Sequence, residues 1–167
     1  MKDVPYASAV GSLMYAILCT RPDISFVVSL VNRYQSNPRP THWQAVKRIM
    51  RYLCGTTDLV LCYRGGDLKL RRYSNADWGD DPDELRSTSG YVFTLSGGAI
   101  SRCSKKQDCI APSNMEAAYV ACSIATQVAI WLRSFLQDLN LTLKVDNPVA
   151  LLCDDTTAIQ FALRETG

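Results

Sequence analysis

Apolar residues recur at helical spacing through the first third of the chain, and residues 5–54 read as helical. Val10, Leu13, Met14, Ile17 and Leu18 fall on one face at three- and four-residue steps, and Pro5 suits a first turn. Arg21-Pro22-Asp23 punctuates this helix. A second helix from Pro22 would align Ile24, Val27, Val28 and Val31, and Asn37-Pro38-Arg39-Pro40 forces a break after it. The third helix is the best marked. Thr41 and Gln44 form a capping box, Trp43, Val46, Ile49, Met50 and Leu53 make a stripe for burial, and Gly55 is the stop.

After Gly55 the period shortens. Residues 59–63, 68–73, 91–95 and 99–103 are β-rich runs, and Gly65-Gly66 and Gly97-Gly98 separate neighbouring runs as hairpin turns do. A long helix is predicted over 114–139, with Tyr119, Cys122, Ile130, Leu132, Phe135, Leu136 and Leu139 available for burial. Asp146-Asn147-Pro148 reads as a turn, 149–153 as a fully apolar central strand, and 156–163 as a short helix. Helices, meander, long helix, strand and helix together describe an α/β protein whose mixed sheet carries flanking helices.

With 167 residues, 47% of them apolar and 20% charged, the chain is expected to form one moderate core with an appended element. Charge is uneven. Between residues 39 and 72 there are eight Lys or Arg against Asp58 and Asp67, while Asp77, Asp80, Asp81, Asp83 and Glu84 crowd together further on. Such asymmetry suits a polyanion-binding face beside an acidic centre, and equally a solvated surface. Lys47, Arg48 and Arg51 lie off the apolar stripe of the third helix, where they could follow a phosphate backbone or simply face water.

The seven cysteines contain no C-x-x-C pair, and the single His42 has no partner at metal-ligand spacing, so zinc is not expected. Their odd, unpatterned set suggests a reducing compartment, with several inside apolar runs at 17–19, 61–62 and 151–153 where a thiol serves as a small core residue. The apolar stretch 7–19 is preceded by Lys2-Asp3 and followed by no small-x-small cleavage site before Arg21. It is also short for a bilayer. The expectation is therefore an intracellular protein, in cytoplasm or nucleus, without a membrane partner.

Gly11-Ser12-Leu13-Met14-Tyr15, Thr20-Arg21-Pro22-Asp23-Ile24 and Arg51-Tyr52-Leu53-Cys54-Gly55-Thr56 resemble the end of copia-type retrotransposon reverse transcriptase. Asp77-Trp78-Gly79, Ser87-Thr88-Ser89-Gly90-Tyr91-Val92-Phe93, Ala99-Ile100-Ser101 and Ser104-Lys105-Lys106-Gln107 look like the ribonuclease H region that follows it. Cys153-Asp154-Asp155 with Ala158-Ile159 resembles that family's Cys-Asp-Asn-x-x-Ala-Ile segment. The blocks stand in the family's order over almost the whole chain. The resemblance implies a helical segment over 1–57 from the reverse transcriptase and a ribonuclease H-like domain over 58–167. It also implies that this domain is incomplete at the C-terminus and marginally stable.

The parent activity cuts the RNA strand of an RNA–DNA hybrid, using carboxylates that converge on two divalent cations. Matched to the family, the ligand positions here are Asn75, where the family has Asp, Ala118, where it has Glu, and Asp154, which is retained; a further carboxylate would lie beyond Gly167. Asp77, two residues along the same strand, is a candidate substitute ligand. Glu116 becomes one only if the alignment shifts, because two residues turn a helix by roughly 200°. The resemblance thus implies weak or no metal binding at Asp77 and Asp154, no cofactor, and Mg²⁺ or Mn²⁺ only if activity survives.

Asp77 could instead cap a turn, and Asp154 or Asp155 the last helix. Trp78 is read as packing. Lys47, Arg48, Arg51, Lys105 and Lys106 are the candidates for touching nucleic acid. The functional expectation is a non-catalytic, retrotransposon-derived domain that binds an RNA–DNA hybrid weakly. An active hybrid nuclease is one alternative. The other is an exapted interaction protein with an unknown protein partner, since chains starting near the same block resemble secreted RxLR effectors of oomycetes; no Arg-x-Leu-Arg occurs here.

Overall fold

A computed structural model of the chain describes residues 4–64, 68–81, 84–140 and 150–165. The chain divides into two compact units, Met1–Cys62 and Tyr63–Gly167.

The first unit is helical. Helix α1 (Tyr6–Cys19) starts behind Pro5, and a 3-10 turn (Pro22–Ile24) leads into α2 (Ser25–Asn32). Helix α3 (Pro40–Gly55) completes it. The core is Val10, Leu13, Ile17, Ile24, Val28, Val31, Val46 and Ile49, with Trp43, Met50 and Leu53 packed against it. Two expectations shift. Met14, Leu18 and Val27 are exposed, because short helices in a small bundle bury only a narrow stripe, and Tyr6 and Ala9 fill the N-terminal end of α1 instead. Helix α3 begins ahead of Thr41 and Gln44: Pro40 takes the first turn, where its missing N–H costs nothing, and Arg39 N–H donates to His42 Nδ1 at 3.1 Å.

Arg21 is buried between the loop after α1 and the end of α3. Its guanidinium donates to both Asp23 oxygens (3.0 and 2.7 Å), to Thr56 Oγ1 (2.7 Å) and to the Thr56 carbonyl (3.2 Å). Tyr52 O–H donates to Asp23 Oδ2 at 2.9 Å, and the Tyr52 ring lies against the guanidinium. The two sequence blocks that carry these residues thus form one polar clasp. The Arg21 guanidinium, and after it the Tyr52 hydroxyl, hold the Asp23 carboxyl below its ordinary value against the opposing effect of burial. A carboxyl depressed in the folded state stabilises above its unfolded value of about 3.9 and loses that contribution as pH falls through the lower folded value. Asp23→Asn is expected to lower the thermal midpoint of the helical signal by about 5 °C at pH 7. The gap to wild type should close below pH 4 in melts followed by circular dichroism; an equal gap at pH 3 and pH 7 rules the charge effect out.

Among the described residues the second unit holds a four-stranded sheet in the order β3-β2-β1-β4. Strands β1 (Arg71–Asp77), β2 (Thr88–Leu95) and β3 (Gly98–Lys106) form an antiparallel meander, and β4 (Leu152–Cys153) lies parallel to β1. Helix α4 (Asn114–Asp138) connects β3 to this last part of the chain and lies across β1 and β2; α5 (Thr156–Glu165) packs on α4. A meander, a crossing helix and a strand returning parallel to the first make the ribonuclease H-like mixed sheet that the sequence blocks imply.

The details correct several expectations. Residues 59–63 form no strand, and Gly65-Gly66 lies outside the described residues. The run expected over 68–73 becomes strand only from Arg71 and continues to Asp77. The second hairpin turns at Ser96 and Gly97 (φ 51° and 83°), one residue earlier than read, with Leu95 opposite Gly98. Positive φ at both central residues matches the twist of the flanking strands.

Helix α4 is where it was expected and buries Leu132 and Leu136 as read, but alanines make up the rest of its buried face. Ala117, Ala118, Ala121, Ala125, Ala129, Leu132 and Leu136 meet the sheet, while Tyr119, Ile130, Phe135 and Leu139 stay exposed. Small side chains let helix and sheet approach closely, and Phe93 of β2 fills the space beside Ala129, Leu132 and Leu136. By length and composition alone α4 could cross a membrane. Strand β4 is not the fully buried central strand expected: Leu152 is exposed, because β4 has only β1 beside it among the described residues. The turn expected at Asp146-Asn147-Pro148 lies outside those residues.

Candidate metal centre

Strand β1 alternates, with Arg72 and Ser74 buried and Arg71, Tyr73, Asn75 and Asp77 exposed. The parallel register pairs Tyr73 with Leu152 and Ser74 with Cys153, so the next step along both strands sets Asn75 and Asp154 side by side at their C-terminal ends. Helix α4 brings Ala118 to the same place. A cavity of about 470 Å³ results, lined by Asn75, Ala76, Asn114, Ala118, Asp154, Asp155, Thr156 and Thr157. The three positions matched to metal ligands from sequence therefore converge in space.

Their chemistry is thin. Asn75 Oδ1 accepts the Ala76 N–H at 2.7 Å, and Ala118 offers a methyl group. Asp155 is spent at the start of α5: Oδ1 accepts the Ala158 N–H and Oδ2 an Asn114 amide N–H, both at 2.8 Å. That is the helix cap expected of Asp154 or Asp155, formed by the second. Asp154 remains as the exposed carboxylate of the cavity. Asp77, opposite Thr88 at the end of β1, is not among the lining residues. Glu116 is turned to the cap of α4, where its N–H donates to Ser113 Oγ at 3.3 Å and its carboxylate accepts from the Ser113 hydroxyl at 3.4 Å. Two magnesium ions call for several hard oxygen ligands, preferably charged. Among the described residues no three His, Cys, Asp or Glu side chains converge, and the donor set does not fit a two-metal centre.

The candidate cations fall in both units. Lys47, Arg48 and Arg51 are exposed on α3 in the first unit, with Arg51 Nε donating to the Lys47 carbonyl at 3.4 Å. Lys105 is exposed, 3.4 Å from Asp108. Lys106 is committed to Asp81 and, at 3.1 Å, to Glu84; the Asp81 carboxylate chiefly holds its ammonium above the ordinary lysine value. Two acids thus counter the charge of Lys106. Trp78 donates its indole N–H to the Ala111 carbonyl at 2.9 Å, tying the end of β1 to the approach to α4.

Gln107 is a residue whose role the sequence did not disclose, although it closes the Ser104-Lys105-Lys106-Gln107 block. It is buried, and its amide donates to Ser89 Oγ (2.8 Å) and to the Ala117 carbonyl (2.9 Å), while its N–H reaches the Ser87 carbonyl. It thereby fastens β2 and β3 to the turn of α4 that carries Ala118.

The cysteines are all free thiols; Cys19 and Cys62 are exposed rather than core, because their apolar runs end at solvent. In the same unit, Cys122 of α4 meets Cys153 of β4. Burial first, and then the neighbouring Cys153 thiol, push the Cys122 thiol up to about 11. The thiolate is the reactive form, so iodoacetamide at pH 8 is expected to alkylate Cys122 at least about tenfold more slowly than exposed Cys109, read by peptide mass spectrometry. Equal rates exclude a half-buried, protonated thiol.

The chain is 49% identical over 162 residues to the retrovirus-related Pol polyprotein from transposon TNT 1-94 of Nicotiana tabacum, a match that covers 97% of this chain and 12% of that protein. It is 38% identical over 154 residues to the Pol polyprotein from transposon RE2 of Arabidopsis thaliana, covering 92% of this chain and 10% of that protein. It is also 51% identical over 133 residues to secreted RxLR effector protein 161 of Plasmopara viticola, covering 79% of this chain and 94% of the effector. The chain thus spans about a tenth of the length of the polyproteins it matches. No family model and no solved structure matches it.

Proposed function

We propose, for a chain that belongs to the copia-type retrotransposon Pol family, that its ribonuclease H-like unit no longer cleaves RNA–DNA hybrids and keeps only weak, charge-driven contact with nucleic acid. One observation carries the reading. The cavity where the ligand positions meet holds an amide, a methyl group and one uncommitted carboxylate, Asp154. An amide oxygen brings no net charge to offset two dications, and a methyl group brings no donor at all. The protein is read as intracellular, with Mg²⁺ or Mn²⁺ required only if residual turnover exists. A labelled RNA–DNA hybrid incubated with the purified chain and Mg²⁺ or Mn²⁺ tests this. Cleavage no faster than the metal-only blank is expected, together with hybrid binding that weakens steeply from 50 to 200 mM salt. Multiple turnover by the wild type overturns the proposal.

A second reading rests on the likeness to the RxLR effector, which spans nearly all of that protein. On it, the fold serves as a protein-interaction module outside the transposon cycle. Export of the chain from the cells that make it, joined to suppression of host cell death, would favour this reading over the first.

A further inference from the structure

The metal-site cavity occupies the C-terminal ends of β1 and β4. A second cavity, of about 530 Å³, lies at the opposite end of β1, and the reading above does not use it. Arg64, Lys69 and Arg71 line it together with Tyr73, Thr94 and the Ser96-Gly97 turn. Three cations thus share one recess, and no acid lines it among the described residues.

The scaffold explains how they come together. Arg64 N–H donates to the Ser96 carbonyl at 2.8 Å, which anchors that stretch of chain to the hairpin turn. Arg71 opens β1 opposite Thr94 of β2. Tyr73 follows two residues on, on the same exposed face of the strand, its ring partly open to solvent. Like charges are gathered here without a described counter-ion, an arrangement that favours an anionic ligand. Cations beside an aromatic ring suit a phosphodiester backbone whose bases are free to stack.

We propose that the Arg64, Lys69 and Arg71 recess binds the phosphodiester backbone of a single-stranded polynucleotide, with Tyr73 stacking on a base. Arg71, Tyr73 and Asn75 share one face of β1, and four residues of strand span about 13 Å. A strand laid along β1 therefore runs from this recess toward the metal-site cavity. The site deepens the nucleic-acid part of the function proposed above and does not depend on whether cleavage is lost.

The test is fluorescence anisotropy of a labelled oligo(dT) 20-mer with the whole chain at several salt concentrations. Wild type is compared with Arg64→Gln/Lys69→Gln/Arg71→Gln and with Lys47→Gln/Arg48→Gln/Arg51→Gln, which removes the same charge from α3. The recess variant is expected to bind at least about tenfold more weakly at 50 mM salt and to lose about 2 from the log–log salt slope, near 0.7 for each contact removed. The α3 variant should lose less. Equal losses in the two variants mean a net-charge effect and overturn the recess. Undiminished binding by the recess variant overturns it while leaving nucleic-acid binding intact; no binding by wild type at 50 mM salt ends both. Displacement of the oligomer by millimolar inorganic phosphate or dTMP as effectively as by unlabelled oligo(dT), or by polyglutamate, also overturns a polynucleotide site. If the recess variant fails to fold, ultraviolet cross-linking of wild type to a 4-thiothymidine oligomer decides. Adducts on Tyr73 or Lys69 support the site, and adducts confined elsewhere sink it.

Discussion

Asn75→Asp combined with Ala118→Glu is expected to raise Mn²⁺-dependent hybrid cleavage on the order of 100-fold above the wild-type level. The substitutions place two carboxylates at positions that already line one cavity with Asp154, on a strand end and a helix whose spacing is set by the Gln107 contacts to Ser89 and Ala117. Each single substitution should stay near the blank, because metal ligands act as a set and their effects do not add. Asp154→Asn in the repaired background should return it there. Calorimetry gives an independent check. Wild type is expected to show no stoichiometric uptake of two Mn²⁺, whereas the repaired chain should. Tight uptake of two ions by the wild type, or cleavage above the blank that is equal in both proteins, would refute the loss of the metal centre.

The second large effect concerns stability. Phe93→Ala should cost about 3–5 kcal/mol, a large share of the roughly 5–15 kcal/mol that holds a domain folded. Phe93 is fully buried in β2, beneath Ala129, Leu132 and Leu136 of α4 and edge-on to Tyr91 at 5.3 Å. Ala129 beside it is too small to fill the void, and the helix that carries it is held against the sheet. Phe93→Leu keeps most of the volume and should cost under about 1.5 kcal/mol. Urea unfolding measures both. A Phe93→Ala loss below about 1 kcal/mol would mean that α4 does not rest on the sheet as described.

Much of this fold was legible because local signals agreed with tertiary packing. Pro5, the α3 stripe and the span of α4 lie where periodicity placed them. The β2–β3 hairpin turns one residue from its expected glycines. Other features failed for physical reasons. Leu132 and Leu136 of α4 are buried as read, but Tyr119, Ile130, Phe135 and Leu139 are not, because close approach to a sheet selects alanine, whose weak hydropathy hides the rest of the stripe. Residues 59–63 have strand composition, but a strand needs a partner and none pairs with them among the described residues. The Arg21–Asp23–Tyr52–Thr56 clasp joins residues up to 35 positions apart, a distance that no helical or strand period encodes.

The order of residues alone settled the α/β class and the order of most elements, because these follow from backbone periodicity, and the family resemblance pointed to Asn75, Ala118 and Asp154 as the positions to compare with metal ligands. Only the tertiary structure decided which of those positions meet. It set Asn75, Ala118 and Asp154 around one cavity, diverted Asp155, Glu116 and Lys106 to caps and ion pairs, and gathered Arg64, Lys69 and Arg71 at the far end of β1. Convergence depends on strand register and helix placement, which are properties of long-range packing and not of neighbours along the chain.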